Sequence, residues 1–152
     1  MKIYLASPLG FSELGRLGLK VLKDKLISLG HSVYDPWEDC PPALIGTVIR
    51  PEKTYAQVLR DCEVLAYDLG RQNRQGIDLA DCVFAVLDGQ ELDSGTVSEL
   101  AYMVGKGKRA YGYRGDFRNV DGMPSIPFNL QVWYFILSSG GRMFYSVDEI
   151  CL

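Results

Sequence analysis

Two hydrophobic patterns alternate along this chain: short apolar runs, and longer stretches in which apolar residues recur every three or four positions. The short runs predict strands at residues 3–6, 31–34, 82–87, 108–113 and 143–146. The longer stretches predict helices at residues 13–29, 55–69, 94–105 and 128–138. The first helix is predicted to bury a stripe formed by Leu14, Leu17, Val21, Leu22, Leu26 and Leu29. Gly76 is predicted to break the second helix before the third strand.

This alternation of strands and helices predicts an α/β protein with a mainly parallel sheet and helices on both faces. Five strands favour a flavodoxin-like three-layer sandwich in the order 2-1-3-4-5. The length of 152 residues predicts a single domain over residues 1–152. Residues 36–52 contain four prolines and no periodicity, so a long loop is predicted there.

Composition narrows the possible partners. A formal net charge of −3 provides no basic surface for nucleic acid, so no nucleic-acid partner is expected. No apolar run approaches the roughly 20 residues of a membrane helix, so no membrane partner is expected either. The four cysteines, Cys40, Cys62, Cys82 and Cys151, lack the paired spacing of a zinc site. They are interpreted as reduced core residues, which predicts a cytoplasmic protein.

Two acids flank the predicted start of the third helix. Asp93 follows the strand at 82–87, and Glu99 lies six residues further on. Ligands of open α/β sheets bind at the carboxyl ends of the strands, so both carboxylates are expected to face that crevice. A carboxylate pair of this kind suits cleavage at the anomeric carbon of a sugar. Glu99 is predicted in the first helical turn, where the positive helix end would keep it ionised at neutral pH.

Other chemistries find little support. The chain has one histidine, His31, which disfavours a histidine metal site or a Ser-His-Asp triad. The segment after the first strand, residues 6–10, lacks the glycine pattern of a dinucleotide site, and no P-loop is present. Accordingly, no metal and no cofactor are predicted.

Several motifs together resemble the nucleoside 2-deoxyribosyltransferases over nearly the whole chain. They occur, in order, at residues 3–6 with Pro8 and Phe11, at 78–81 leading into 83–89, at 93–96 with Glu99, at 105–108, at 116–118 and at 127–130. The resemblance implies transfer of a 2-deoxyribosyl group from a 2′-deoxynucleoside to a free nucleobase. It also implies a retaining double displacement through a covalent deoxyribosyl-glutamate.

By this resemblance Glu99 is the nucleophile, Tyr4 orients it by a hydrogen bond, and Asp81 is the acid that carries a proton at the base. Read without the resemblance, Glu99 is an ordinary helical acid and Tyr4 a core residue. Asp81 is then a strand-edge residue bonded to backbone.

Three further residues are predicted to bind substrate. The resemblance implies that Asp93 binds the sugar hydroxyl on the 5′ side and that Gly95 lets the backbone approach the sugar closely. It also implies that Asn129 reaches the sugar hydroxyls of a neighbouring subunit. Asp93 and Asn129 are alternatively plain helix caps. Trp37, Tyr55 and Arg114 could stack on or cover a base, although each also suits packing or loop structure.

The helix predicted at residues 128–138 has almost no polar face, as residues 132–137 are all apolar. A surface helix needs only one apolar stripe, so the excess predicts a homo-oligomer. The alternative is a helix buried entirely within one subunit.

Two rival functions remain open from the sequence. One is an N-glycoside hydrolase of 2′-deoxynucleosides or of their 5′-monophosphates, which passes the sugar to water. The carboxylate of Asp93 would repel a phosphate, which favours a free 5′-hydroxyl. The other is a nucleotide-sensing module without catalysis, against which the intact set of candidate residues counts.

Overall fold

A computed structural model of the protein describes residues 1–39, 43–119 and 125–152. Within these residues the strands are β1 (Lys2–Ala6), β2 (Ser32–Tyr34), β3 (Cys82–Val86), β4 (Arg109–Tyr113) and β5 (Met143–Phe144). They form one sheet in the order β2-β1-β3-β4-β5, and every neighbouring pair is parallel. The predicted parallel sheet and its strand order are confirmed.

The helices of the described residues are α1 (Glu13–Ser28), α2 (Pro36–Asp39), α3 (Ala43–Val48), α4 (Tyr55–Leu79), α5 (Ser94–Gly105) and α6 (Leu130–Ser138). A 3-10 turn at Pro8–Phe11 precedes α1. Side chains fix the helix starts: Ser12 caps α1, and Thr54 forms a capping box with Gln57 at the start of α4.

Side chains of β1 point alternately to the two faces of the sheet. Ile3 and Leu5 pack with the buried residues of α1, such as Leu22. Tyr4 and Ala6 belong to the opposite cluster, which also contains buried residues of α4, α5 and α6. This alternation, which follows from the two-residue period of a strand, directs the Tyr4 side chain towards α5.

The second predicted helix is longer than expected. Gly76 does not break it, since α4 continues from Tyr55 to Leu79. A β-carbon at Gly76 would lie 2.5 Å from the ring of Tyr34, so this glycine lets the helix pass close to the end of β2. The prediction of a break was wrong because the glycine serves a close contact and not a turn.

The predicted loop at residues 36–52 contains the short helices α2 and α3, which the prolines did not prevent. Pro36 stands at the first position of α2, where its missing N–H costs no hydrogen bond. The remainder of that prediction at residues 40–42, with Cys40, lies outside the described residues. Of the other cysteines, Cys82 is buried and Cys62 half-buried, but Cys151 is exposed and is no core residue.

The buried face of α1 differs from the predicted stripe. Leu19, Leu22 and Leu26 pack against the sheet, whereas Leu14 and Leu17 are 79% and 61% exposed. The helix is apolar on both faces, and periodicity alone did not distinguish the one that meets the sheet. None of the helices in the described parts of the chain combines the length and apolarity needed to cross a bilayer.

Candidate active site

Glu99 and Tyr4 meet where α5 passes over the sheet. The Tyr4 hydroxyl donates a hydrogen bond of 2.6 Å to Oε1 of Glu99. The ring of Tyr4 is fully buried and stacks on Tyr34 with a centroid distance of 5.6 Å. The strand and a neighbouring aromatic ring therefore hold the phenol in place, and the phenol holds one oxygen of the carboxylate.

A second donor approaches the same oxygen from α4. The side-chain amide of Asn73 donates to Oε1 of Glu99 over 3.2 Å. Both hydrogen bonds that Glu99 makes within the described residues therefore use Oε1. Oε2 is left available to react or to bind a ligand.

The surroundings of Glu99 act on its protonation. Burial is the largest influence and raises its pKa, and the charge of Asp93 raises it further. The hydrogen bonds from Tyr4 and Asn73 oppose this shift, because they favour the charged form. Burial and the negative charge of Glu99 also raise the pKa of Tyr4, which keeps its hydroxyl protonated as a donor.

The sequence-based view of Glu99 needs one correction. Helix α5 begins at Ser94, so Glu99 is its sixth residue and lies in the second turn. The helix dipole acts mainly on the first turn and is weaker at this position. Burial dominates instead, and the pKa of Glu99 moves up from its usual range.

Asp93 stands at the start of the same helix as its N-cap. Its Oδ2 accepts hydrogen bonds from the backbone N–H of Thr96 at 2.7 Å and from the Thr96 hydroxyl at 2.9 Å. Both bonds within the described residues use one carboxylate oxygen, so Oδ1 is left for a ligand. The predicted cap and the predicted binding role are therefore compatible in one side chain.

A cavity of about 420 Å³ connects these groups. Asp93, Gly95, Glu99 and Asn73 line one side of it, and the opposite side is mainly apolar. Because Gly95 has no side chain, the backbone of α5 borders the cavity directly. The structure thus brings Glu99, Asp93 and Gly95 to one cavity, and Tyr4 joins them through its hydrogen bond to Glu99.

The apolar side of the cavity is built around Trp37. The indole N–H donates to the carbonyl of Ser7 at 2.8 Å, and the ring lies where a β-carbon of Gly10 would be. Phe11 meets the indole edge-on at a centroid distance of 4.6 Å and is 76% exposed at the cavity. A fixed aromatic surface of this kind can stack against a planar base.

A second cavity of about 330 Å³ reaches Glu99 between α4 and α5. Gly70, Asn73, Ser98 and Tyr102 line it together with Glu99. The carboxylate therefore lies between two openings, with Asn73 and Gly95 bordering both of them.

Asp81 is not part of this group. Its carboxylate accepts from the backbone N–H of Lys2 at 2.7 Å, and its own N–H donates to the Lys2 carbonyl at 2.8 Å. Both residues stand at the amino end of the parallel strands, whereas the cavity lies towards the carboxyl end. This corrects the predicted placement of Asp81 at the base and agrees with the alternative of a strand-edge residue bonded to backbone.

Asn129 caps α6, its Oδ1 accepting from the N–H of Gln131 at 2.9 Å. It is exposed and lines a groove with Ser94 and Val97, and it does not border the cavity at Glu99. On the outer side of α6, Leu130 and Tyr134 are 58% and 59% exposed, whereas Val132 and Ile136 are buried. An apolar outer face thus accompanies an asparagine that does not reach the site of its own subunit.

A sequence profile of the nucleoside 2-deoxyribosyltransferases matches residues 3–142. The chain belongs to this family. A 2-deoxyribosyltransferase from Bacillus psychrosaccharolyticus has a similar fold, with a TM-score of 0.66 and 23% identity over 98% of this chain and 89% of that one. A conserved protein from Enterococcus faecalis gives a TM-score of 0.68 and 23% identity over 98% and 93%.

The CMP N-glycosidase BcmB of Clostridium botulinum is more distant. Its TM-score is 0.52, and it is 12% identical over 98% of this chain and 93% of that chain. No sequence among functionally curated proteins matches this chain. This chain thus shares its fold with an enzyme named as a CMP N-glycosidase.

For this member of the family, sequence reasoning missed Asn73. A signal was present, because Leu65, Leu69, Asn73 and Ile77 follow one another at intervals of four. These positions lie on one face of α4, so an amide interrupts an otherwise apolar row. A single polar residue in such a row is a candidate for a buried polar contact.

Arg114 and Tyr55, two candidates for covering a base, do not line the cavity at Glu99. Arg114 is 1% exposed and donates to the carbonyls of Leu87, Gly89 and Arg118. It thereby joins the segment that leads from β3 towards Asp93 to the segment after β4. Tyr55 is 78% exposed at the start of α4.

Among the described residues, no three histidine, cysteine or acidic side chains converge as metal ligands would.

Proposed function

We propose that this protein transfers the 2-deoxyribosyl group of a 2′-deoxynucleoside to a free nucleobase through a covalent ester on Glu99. The observation that carries this proposal is the asymmetric bonding of Glu99. Tyr4 and Asn73 hold Oε1, and Oε2 is left for reaction beside a cavity that is acidic on one side and aromatic on the other.

In the first half of the reaction, a lone pair of Oε2 forms a bond to C1′ of the sugar. The bond between C1′ and the base nitrogen breaks, and its electron pair leaves with the base, which takes up a proton from solvent. Positive charge develops on the sugar ring in the transition state and is stabilised by the adjacent carboxylates of Glu99 and Asp93.

In the second half, a nitrogen of the incoming base attacks C1′ from the face that the first base vacated. The bond between C1′ and Oε2 breaks, its electron pair returns to the Glu99 carboxylate, and the incoming base loses a proton. Two inversions give net retention at C1′. Tyr4, which donates to Oε1, favours this step because its hydrogen bond stabilises the negative charge that returns to Glu99.

Asp93 supports a substrate with a free 5′-hydroxyl. Its unoccupied Oδ1 can accept a hydrogen bond from that hydroxyl while Oδ2 continues to cap α5. A phosphate at the same place would face a carboxylate of like charge. Nucleosides are therefore the proposed substrates, with Trp37 and Phe11 as the surface for the base.

Hydrolysis is a second candidate because the cavity between α4 and α5 provides an additional opening to Glu99. The related fold of a CMP N-glycosidase is compatible with it. The two activities share the glycosyl ester and differ only in whether a base or water accepts the sugar.

One incubation separates these possibilities. With deoxyinosine and free adenine, we expect deoxyadenosine to form and hypoxanthine to be released in equal amount, because the incoming adenine takes the sugar from the ester. Chromatography that separates deoxyinosine, adenine, deoxyadenosine and hypoxanthine measures the amounts of both products. Release of hypoxanthine with free deoxyribose would indicate the hydrolase. Unchanged deoxyinosine, alone or with adenine, would contradict both activities on nucleosides. A binding module would follow if 2′-deoxyinosine 5′-monophosphate also stayed unchanged.

We further propose that the chain acts as a homo-oligomer in which Asn129 completes a neighbouring site. The exposed apolar residues Leu130, Tyr134 and Leu137 of α6 support an interface beside Asn129. Burying apolar side chains between subunits stabilises such an assembly by roughly 25 cal/mol per Å² of apolar surface, before the costs of association. Assembly would bring the amide of one subunit to the sugar hydroxyls held by another.

Complementation tests this arrangement. Asn129→Ala subunits and Glu99→Gln subunits should each be nearly inactive, but refolding them together should restore activity. With random mixing, about a quarter of the sites would receive both intact residues if two subunits build each site. The rate of base exchange measures the recovery, and sedimentation checks that the assembly is unchanged.

Asn129→Ser is the matched control, because serine keeps the helix cap but lacks the amide. It should lose activity like Asn129→Ala while keeping the wild-type melting temperature. Full activity of Asn129→Ala, or no recovery in mixed assemblies whose mixed composition is verified, would contradict the shared site.

A further inference from the structure

Asn73 occupies an unusual place on α4. It is half-buried, borders both cavities that reach Glu99, and donates from Nδ2 to Oε1 over 3.2 Å. Within the described residues this is its one side-chain hydrogen bond. Its neighbours Gln72 and Gln75 carry the same amide group but are exposed.

The fold brings this amide to the carboxylate through a close helix contact. Gly76 lies one turn beyond Asn73 and packs against the ring of Tyr34, where a side chain would collide. Tyr34 in turn stacks on Tyr4. The contact that brings α4 near β2 therefore also fixes the phenol of Tyr4, and the two donors to Glu99 are positioned by one packed unit.

We infer that Asn73 is a second positioning residue for Glu99, which holds Oε1 together with Tyr4 so that Oε2 alone is presented to the sugar. This inference rests on the proposed function, because it assigns Asn73 a task in the same reaction. A single hydrogen bond from Tyr4 would leave the carboxylate able to turn about that bond, whereas two donors from different elements fix its plane.

The neutral amide also suits the electrostatics of the site. Glu99 already has the carboxylate of Asp93 nearby, and both burial and that charge raise its pKa. An amide that donates to Oε1 favours the ionised, nucleophilic form. Aspartate at position 73 would be almost the same size as asparagine, but its negative charge would favour the protonated form of Glu99.

Two substitutions test this role. Asn73→Ala should lower kcat for base exchange about tenfold with little change in KM, which corresponds to the loss of one hydrogen bond to a charged group. Asn73→Asp should move the acid limb of the pH–rate profile to higher pH, because the added negative charge opposes ionisation of Glu99. Gln75→Ala, an exposed amide on the same helix, should match the wild type in both measurements.

A direct measurement complements the kinetics. In protein with ¹³C at the glutamate carboxyl carbons, the Glu99 signal is assigned by its loss in Glu99→Gln and titrated with pH. Its midpoint should rise in Asn73→Asp. Circular dichroism should show that each variant keeps the wild-type helix content.

Two results would overturn the inference. One is an Asn73→Asp enzyme whose acid limb and Glu99 titration both coincide with those of the wild type. The other is a loss in Asn73→Ala that lies entirely in KM, which would mean that Asn73 contacts substrate and does not position Glu99. Failure of the proposed function would look different, because wild-type protein would then transfer no sugar from a 2′-deoxynucleoside to a free base.

Discussion

Replacing Glu99 by glutamine should reduce base exchange by about 10⁴-fold or more, because an amide oxygen cannot form and release the glycosyl ester. Glutamine keeps an acceptor for Tyr4, so the fold should persist. Formation of deoxyadenosine from deoxyinosine and adenine measures the effect. Glu63→Gln, which changes an exposed acid on α4, should retain the wild-type rate.

A trapped intermediate provides independent evidence on the same residue. Protein incubated with a slow fluorinated 2′-deoxynucleoside should gain the mass of the sugar on the peptide that contains Glu99. A wild-type exchange rate in Glu99→Gln, or an unlabelled Glu99 peptide under conditions of proven turnover, would remove this side chain from the mechanism.

The raised pKa of Glu99 adds a dependence on pH with a definite sign. Exchange should fall as the pH drops through this raised value, because only the carboxylate attacks. Folding has the opposite preference, since a carboxyl whose pKa is raised in the folded state stabilises the protein at low pH and loses that contribution as the pH rises through the folded value. Glu99→Gln should therefore melt at a higher temperature than the wild type near pH 7, and the gap should close well below pH 4.5.

Replacing Arg114 by methionine should lower the free energy of unfolding by about 3 kcal/mol or more, because carbonyls that it bonds lose their donor in a buried place. Those carbonyls belong to Leu87, Gly89 and Arg118. The guanidinium also lies 5.9 Å from the ring centroid of Phe128, just before α6. Urea unfolding followed by circular dichroism measures the change.

Arg118→Met is the matched control for Arg114. The Arg118 side chain is 53% exposed and pairs with Asp116, and an exposed ion pair contributes about 0–1 kcal/mol. Arg114→Lys should lie between the two variants, because an ammonium cannot reach as many carbonyls as the guanidinium fork. An unfolding midpoint of Arg114→Met equal to that of Arg118→Met would contradict the central role of Arg114 in joining these segments.

Periodicity predicted the sheet because strands and helices leave different spacings, and parallel connection rules leave few possible orders. The bounds of α5, Ser94–Gly105, agree with the predicted 94–105. Prediction from the sequence pattern failed at Gly76, where a glycine is needed because the ring of Tyr34 packs closely against the helix. It also failed at α1, where both helix faces are apolar and only the assembled sheet distinguishes them.

The candidate site shows the same limit. The position between a strand and the following helix predicted Asp93 and Glu99 together, whereas Tyr4 and Gly95 were predicted from the resemblance to the family. Asp81 was misplaced because its role came from the resemblance alone. It directly precedes the strand that begins at Cys82, and the amino ends of parallel strands lie away from the ligand crevice. Asn73 was missed because the predicted helix ended at residue 69, four residues before this amide.

The cap at the start of α5 has a consequence for how this protein can change. One carboxylate oxygen of Asp93 is committed to Thr96, and its twin is left for the ligand. A substitution of Asp93 therefore affects two properties at once: the stability of the start of α5 and the binding of substrate. New substrate preferences should arise more readily on the opposite, aromatic side of the cavity, at Trp37 and Phe11, because a substitution there leaves the cap of α5 unchanged.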